Sequence, residues 1–244
     1  MVVKRNNVYQ DRCDFNEQSD FILSMIYNNN TLNIFSDASM RKHGSKQLDS
    51  CYGSVAVCKD NILDELFKIN TDCTVPAAEL RGIRLSLDLA FKYRYMFPVI
   101  NIFSDSQISV MSIREYFYKW VYDINTNQYY TGTIKRMGSP AKNQHLILEC
   151  VQMVELLRLT NVVNIYHQKG HIGNELNEMI DAINVFKREN HIKGKIDYNL
   201  IRYISTYNNY VDNRSRSIIR RTNIYDNVYR DPLTFHPIPN FTVN

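Results

Sequence analysis

The sequence contains no long apolar run. Crossing a bilayer takes about eighteen or more consecutive apolar residues, and no segment of this chain approaches that length. The N-terminal stretch MVVKRNNVYQ also lacks the apolar core that a secretory signal requires. We therefore expect a cytoplasmic protein that has no membrane partner.

Paired cysteines are missing as well. The five cysteines are irregularly spaced, and no two of them form a CxxC pair. An odd number of cysteines without such pairs argues against a disulfide framework and against a zinc site. We interpret them as reduced thiols, most of them structural.

The chain carries only a small excess of positive charge, and this excess lies near the C-terminus. The net charge is +4, and residues 191–244 contain eight lysines and arginines against four aspartates, so the remainder of the chain is balanced. An apolar content of 44% argues against general disorder. The abundance of Asn, Lys, Ile and Tyr is typical of an AT-rich genome, such as that of a phage or a low-GC bacterium. These features indicate a globular domain with a basic C-terminal segment.

The pentapeptide NIFSD is present twice, at residues 33–37 and 101–105. The residues around the two copies differ, so the chain does not contain a duplicated unit. Each copy is an apolar run that stops at an aspartate. The repeat therefore predicts two buried strands, each with a carboxylate at its carboxyl end.

Strand and helix signals alternate between residues 31 and 190. LNIF, YGSVAVC and NILDELFKI predict three strands in an antiparallel meander. Thr74 and Pro76 predict the start of a helix, and PVINIF predicts a strand parallel to the first because a helical crossover precedes it. Residues 108–143 show no regular pattern, after which LILECVQMVELLRL, VVNIY and ELNEMIDAINVFKR predict a helix, a strand and a helix. The order β-β-β-α-β-α-β-α predicts an α/β fold with a mixed sheet.

Five short motifs resemble those of the ribonuclease H family and follow one another in that family's order. They are FSDAS, YGS, PAAELRG, FSDSQ and KGHIGNELNEMID, and they span about residues 32–186. The resemblance implies a ribonuclease H-like fold, with a five-stranded sheet in the order 3-2-1-4-5 that brings Asp37 and Asp105 side by side. It divides the chain into an N-terminal extension (1–30), a catalytic domain (31–190) and a C-terminal extension (191–244).

Four carboxylates are implied as catalytic metal ligands: Asp37, Glu79, Asp105 and Asp181. An aspartate at a strand end is often only a cap, but Glu79 lies beside the apolar stripe of its helix, four residues before Ile83. An unpaired carboxylate is costly to bury there, so Glu79 needs a cation. Oxygen ligands suit Mg²⁺. The resemblance implies two Mg²⁺ ions, with Mn²⁺ able to substitute, and cleavage that leaves 5′-phosphate and 3′-hydroxyl ends.

His171 lies in the glycine-flanked loop KGHIGN. By resemblance it is a mobile catalytic histidine that assists proton transfer and product departure. The aromatic and basic segment around Trp120 resembles the basic handle with which bacterial-type relatives grip DNA, although we assign Trp120 itself to packing. The implied substrate-binding residues are Ser39, Gln107, Lys135, Arg136, Lys142, Lys169 and Asn177.

The chain departs from the family in two places. Val75 and Pro76 replace the asparagine pair that many relatives carry before the helix glutamate, and no Gly/Pro-rich turn follows Asp37. Reading of the RNA 2′-hydroxyl groups therefore has less support than nuclease chemistry. The leading hypothesis is a metal-dependent endonuclease that cuts the RNA strand of RNA/DNA hybrids. A non-catalytic binding or assembly module of the same fold is one alternative, and an integrase- or resolvase-like nuclease is another.

The C-terminal extension has two open interpretations. Its arginines predict a further contact with nucleic acid or with a protein partner. Alternatively, Ile201, Ile204 and Tyr207 lie at helical spacing, which predicts a peripheral helix packed on the domain.

Overall fold

The computed structural model describes residues 2–3, 28–43, 47–71, 73–133, 136–172 and 175–221. The strands are β1 (Val2–Val3), β2 (Thr31–His43), β3 (Gln47–Cys58), β4 (Asn61–Asn70), β5 (Val99–Ser104), β6 (Val121–Asp123), β7 (Gln128–Thr133), β8 (Arg136–Pro140) and β9 (Val162–His167). The α-helices are α1 (Val75–Tyr93), α2 (Gln107–Met111), α3 (Gln144–Leu157), α4 (Leu176–Glu189) and α5 (Tyr198–Arg221).

A five-stranded mixed sheet lies at the centre of the fold, in the order β4-β3-β2-β5-β9. Strand β3 is antiparallel to both β2 and β4, whereas β5 is parallel to both β2 and β9. Counted along these five strands alone, this is the order 3-2-1-4-5. The predicted fold class is therefore confirmed.

The two faces of the sheet bury separate hydrophobic clusters because side chains alternate along a strand. Leu32 and Ile34 of β2 face one cluster, to which α1 and α3 contribute. Phe35 faces the other cluster, to which α4 and α5 contribute. The central strands are thus covered on both sides, which explains why their sequences are almost continuously apolar.

Helix α5 lies within the predicted C-terminal extension. Its residues Leu200, Ile201, Ile204 and Val211 are buried in the second cluster, and the ring of Tyr207 stacks on Phe35 at a centroid distance of 5.3 Å. Residues 198–221 therefore share a core with the predicted catalytic domain, as the packing interpretation expects. Residues 4–27, most of the predicted N-terminal extension, and residues 222–244, less than half of the C-terminal one, lie outside the described residues.

The segment 108–143 is more regular than its sequence indicates. After α2 come a π-helical turn (Ser112–Tyr116) and a 3₁₀ turn (Phe117–Lys119), and then β6, β7 and β8 form an antiparallel sheet with β1 at its edge. The prediction of irregular structure was wrong because these strands are short, so they carry too little alternation to be recognised. Trp120 packs on Phe117, with ring centroids 5.7 Å apart, in agreement with a packing role.

Two further expectations concern thiols and membranes. Cys51, Cys58, Cys73 and Cys150 are free thiols, and Cys13 lies outside the described residues. In the part of the chain that the structure describes, no helix is both long and apolar enough to span a bilayer.

Candidate active site

The two NIFSD copies pair with each other in the sheet. Asn33 in β2 lies opposite Asn101 in β5, and the register continues to Ser36 opposite Ser104. Asp105 follows the end of β5, whereas Asp37 lies within β2, which continues to His43 because it pairs with β3 as far as that residue; the expectation that a strand ends at Asp37 was wrong. Because side chains alternate, both aspartates lie on the same face as the phenylalanines of the repeat. The repeated sequence thus places two carboxylates side by side.

A third carboxylate comes from the first turns of α1. This helix begins at Val75 with a proline near its start, and it approaches β2 closely at Gly82. A Cβ added to Gly82 would lie 3.5 Å from the carbonyl oxygen of Asp37. Glu79, one turn earlier, therefore reaches Asp37 within β2 and Asp105 just after β5. Carboxylate oxygens of Asp37, Glu79 and Asp105 all lie within 4.8 Å of one another.

Burial and mutual repulsion raise the pKa values of all three carboxyl groups. The pKa of Glu79 rises to about 9, mainly through burial and then through the charges of Asp37, Asp105 and Asp212. Burial also raises the pKa of Asp37, and the neighbouring Asp105 and Asp212 raise it further. The pKa of Asp105 is raised by burial, although a hydrogen bond from Asn208 opposes the shift. The centre therefore holds protons near neutral pH unless a cation binds.

Asp181, the expected fourth carboxylate, does not join this cluster. Its side chain is 59% exposed, and Oδ2 accepts a hydrogen bond from Nζ of Lys169 at 2.5 Å. Helix α4 buries Met179, Ala182 and Phe186. At 100° per residue, these positions turn Asp181 toward the opposite side of the helix. In this structure Asp181 therefore lies outside the carboxylate cluster, and its role as a metal ligand stays a prediction.

Asp212 of α5 completes the acidic group instead. Its side chain is 8% exposed and lines a cleft of about 540 Å³ together with Asp37, Glu79 and Asp105. Ser39 lines the same cleft and donates a hydrogen bond from Oγ to Oδ1 of Asp212 at 3.3 Å. Three arginines also line this cleft: Arg41, Arg216 and Arg220.

His171 lies at the rim of the cleft with a side chain that is 67% exposed. Its Nδ1 is 4.0 Å from Oδ2 of Asp212, and its Nε2 is 3.3 Å from a terminal nitrogen of Arg216. Because a guanidinium can only donate, Nε2 of His171 is the acceptor, and the proton of the neutral ring lies on Nδ1. The loop approaches closely at Gly170, where an added Cβ would come within 2.6 Å of Oδ2 of Asp105.

The other predicted substrate contacts are scattered. Gln107 donates a hydrogen bond to the carboxylate of Glu189, Lys169 pairs with Asp181, and Lys142 and Asn177 are exposed. None of these residues lines the cleft in the described part of the chain. Lys135 lies outside the described residues, as does the side chain of Arg136, whose backbone begins β8.

The sequence did carry a signal for Asp212. On α5 the buried residues Val211, Ser215 and Ile219 form part of a stripe at helical spacing, and Asp212 lies within that stripe. A carboxylate on an apolar stripe is the same signal that singled out Glu79. It was missed because the motif KGHIGNELNEMID offered Asp181 at the position that the family pattern implies.

The chain matches a family of known proteins. The family model for RNase H matches residues 29–187, and the chain belongs to this family of nucleases. Helix α5, which carries Asp212, lies beyond the matched residues. No curated protein matches the chain.

Solved structures resemble parts of the chain at low identity. RNase H1 from Halobacterium salinarum is 17% identical, with a TM-score of 0.38 over 57% of this chain and 86% of its own. The RNase H domain of prototype foamy virus is 16% identical, with a TM-score of 0.45 over 66% of this chain and 96% of its own. A foamy viral protease-reverse transcriptase in complex with an RNA/DNA hybrid is 15% identical, with a TM-score of 0.42 over 68% of this chain and 20% of its own.

Proposed function

We propose that this protein is a divalent-metal-dependent endonuclease that cuts the RNA strand of RNA/DNA hybrids and leaves 5′-phosphate and 3′-hydroxyl ends. The observation that carries the proposal is the convergence of Asp37, Glu79 and Asp105 within 4.8 Å. Membership in the RNase H family supports the same chemistry. The action would take place in the cytoplasm, as the sequence predicts.

The residues present fit a hard divalent cation. The oxygen Oε2 of Glu79 is buried and has no hydrogen-bond partner among the described residues. Oδ1 of Asp37 accepts a hydrogen bond from the amide of Ala38 at 2.6 Å, which leaves further lone pairs free. Such an all-oxygen donor set suits Mg²⁺, and Mn²⁺ as its substitute. Asp37, Glu79 and Asp105 would hold the cation, with Asp212 beside them.

Metal ions bound there supply activation of a water molecule and stabilisation of the leaving oxygen of the scissile phosphate. The protein's own groups prepare the centre for this. The raised pKa values mean that Asp37 and Glu79 must give up protons as a cation binds, so loading becomes easier as pH rises. His171, at the open rim of the cleft, would assist proton transfer and the departure of the product.

The test is cleavage of matched RNA/DNA, RNA/RNA and DNA/DNA duplexes that carry a 5′ label on one strand. We expect cleavage of the hybrid's RNA strand in Mg²⁺ or Mn²⁺ and none in EDTA. The Asp105→Asn variant should be inactive because it removes one of the converging charges while keeping the side-chain shape. The Asp60→Asn variant is the matched control, since Asp60 lies in an exposed turn between β3 and β4.

Each alternative has its own result. A folded protein that binds hybrid but cuts no duplex in either metal would be a non-catalytic module. Cleavage of DNA/DNA in preference to the hybrid would indicate an integrase- or resolvase-like nuclease. Equal cleavage by the wild type and Asp105→Asn would show that the carboxylates are not the catalytic centre.

A further inference from the structure

One cation is already bonded to the acidic centre. Nε of Arg216 lies 2.7 Å from Oδ1 of Asp212, and a terminal nitrogen of the same guanidinium donates to Nε2 of His171 at 3.3 Å. The other two arginines of the cleft differ from it. Arg41 faces Asp49 at 3.9 Å, and Arg220 forms no ion pair with any residue that the structure describes. Arg216 thus connects a buried carboxylate of α5 to the histidine loop.

We propose that Arg216 is a built-in counter-cation of the acidic centre, which holds Asp212 and His171 in the metal-free protein and opposes the binding of divalent ions. This inference rests on the proposed function, because it concerns the same carboxylates. It adds a positioning residue from a helix that lies beyond the RNase H family match.

The charges in the cleft support the proposal that Arg216 opposes the binding of divalent ions. Four carboxylates converge on the cleft, and each repels the others at short range. A guanidinium bonded to one of them offsets part of this repulsion when no metal is present. When a divalent ion binds nearby, the same positive charge repels it. Arg216 should therefore stabilise the metal-free protein and weaken its affinity for metal.

The hydrogen bonds of Arg216 support its role in positioning Asp212 and His171. The guanidinium and Ser39 both bond Oδ1 of Asp212, so Oδ2 remains directed toward Nδ1 of His171. Because Arg216 also donates to Nε2, the ring of His171 is oriented from both of its nitrogens. His171 is exposed and has a positive φ of 48°, so little else in the described structure fixes its ring.

The experiment measures Mn²⁺ binding by calorimetry for the full chain, for three arginine variants and for Asp105→Asn. We expect Arg216→Gln to bind Mn²⁺ roughly tenfold more tightly, because a unit positive charge near the divalent ion is removed. Its melting temperature without metal should fall, whereas its metal-induced rise in melting temperature should increase. Arg216→Lys keeps the charge, so it should bind Mn²⁺ with an affinity close to that of the wild type.

Arg214→Gln is the matched control. Arg214 lies on the same helix and pairs with Glu65 at 2.9 Å, away from the cleft, so its loss should leave the affinity for Mn²⁺ unchanged. If Arg216→Gln binds Mn²⁺ as tightly as the wild type or more weakly, Arg216 does not oppose metal binding and the counter-cation proposal is overturned. If Asp105→Asn at the same time abolishes Mn²⁺ binding, the proposed function stays intact. If the wild type binds no Mn²⁺, both proposals fail.

Discussion

The amide of Asn101 donates a hydrogen bond from Nδ2 to Oδ1 of Asn33 at 3.0 Å, across the two parallel strands that carry the repeated NIFSD. Asn164 of β9 extends the ladder by donating to Oδ1 of Asn101 at 2.9 Å. At the other end, Asn33 donates to the hydroxyl of Tyr203 in α5 at 3.3 Å. The ladder therefore connects three strands and the helix that brings Asp212 to the site.

Replacing Asn101 with leucine should destabilise the protein by about 2–4 kcal/mol. The change removes the hydrogen bonds that Asn101 forms with the buried Asn33 and with the half-buried Asn164, and loss of such a bond at a buried site costs about 1–3 kcal/mol. Urea unfolding of the metal-free protein measures the loss. The exposed Asn199, replaced with alanine, is the control. A loss below about 1 kcal/mol for Asn101→Leu would mean that the ladder contributes little to stability.

Glu79 should make the metal-free protein less stable as pH rises. Its pKa in the folded state is about 9 against an ordinary value of 4.5, so between these values the folded state binds more protons than the unfolded state. The free energy of unfolding therefore falls with increasing pH across that window.

Glu79→Gln removes this titration and should flatten the slope by up to about 1 kcal/mol per pH unit. Unfolding by urea between pH 5 and pH 9, in EDTA, is the measurement. Glu178→Gln on the exposed side of α4 should leave the slope as it is. A slope that is equally steep in both variants would assign the pH dependence to other groups.

Asp212 and Asp181 should differ in their effect on cleavage. Asp212 lines the cleft, whereas Asp181 is exposed and paired with Lys169. We expect Asp212→Asn to reduce kcat by about a hundredfold or more, comparable to the largest losses on removing a supporting residue from a metal site. Asp181→Asn should retain most of the activity. The reverse result would return Asp181 to the role that the family motif implies.

His171→Ala should lower kcat much more than it raises KM. A histidine at the rim that assists proton movement or product release makes no essential contact in the ground state, and general acid–base catalysis is worth about 10²–10⁴-fold. Steady-state kinetics on a labelled hybrid separate the two constants. If affinity falls in step with turnover, His171 belongs to substrate binding.

A chain that ends at residue 190 should fail to fold. Helix α5 buries Leu200, Ile201, Ile204 and Val211, and burial of one such side chain contributes about 1.5–3 kcal/mol. Their joint loss is comparable to the whole free energy of unfolding of a typical domain, about 5–15 kcal/mol. Circular dichroism and thermal melting test this, with a chain that ends at Arg221 as the control. A cooperative melt of the shorter chain would support the predicted boundary at residue 190.

The predictions from sequence succeeded where structure depends on local pattern. Each NIFSD copy is an apolar run closed by an aspartate, and an antiparallel meander followed by a helical crossover leaves few possible sheet orders. These rules gave the element order and a mixed sheet, whereas the strand order 3-2-1-4-5 and the proximity of Asp37, Glu79 and Asp105 came from the resemblance to the ribonuclease H family. The short strands β6, β7 and β8 carried too weak a pattern to be recognised.

The sequence by itself determined the alternation of strands and helices and the two apolar runs that lead into Asp37 and Asp105, because these are local properties of the chain. Only the tertiary structure decided between Asp181 and Asp212. Both lie on helices, and which face of a helix meets the sheet depends on how all of its buried side chains pack at once. Met179 and Phe186 turn Asp181 toward solvent, whereas Ile204 and Val211 bring Asp212 to the cleft.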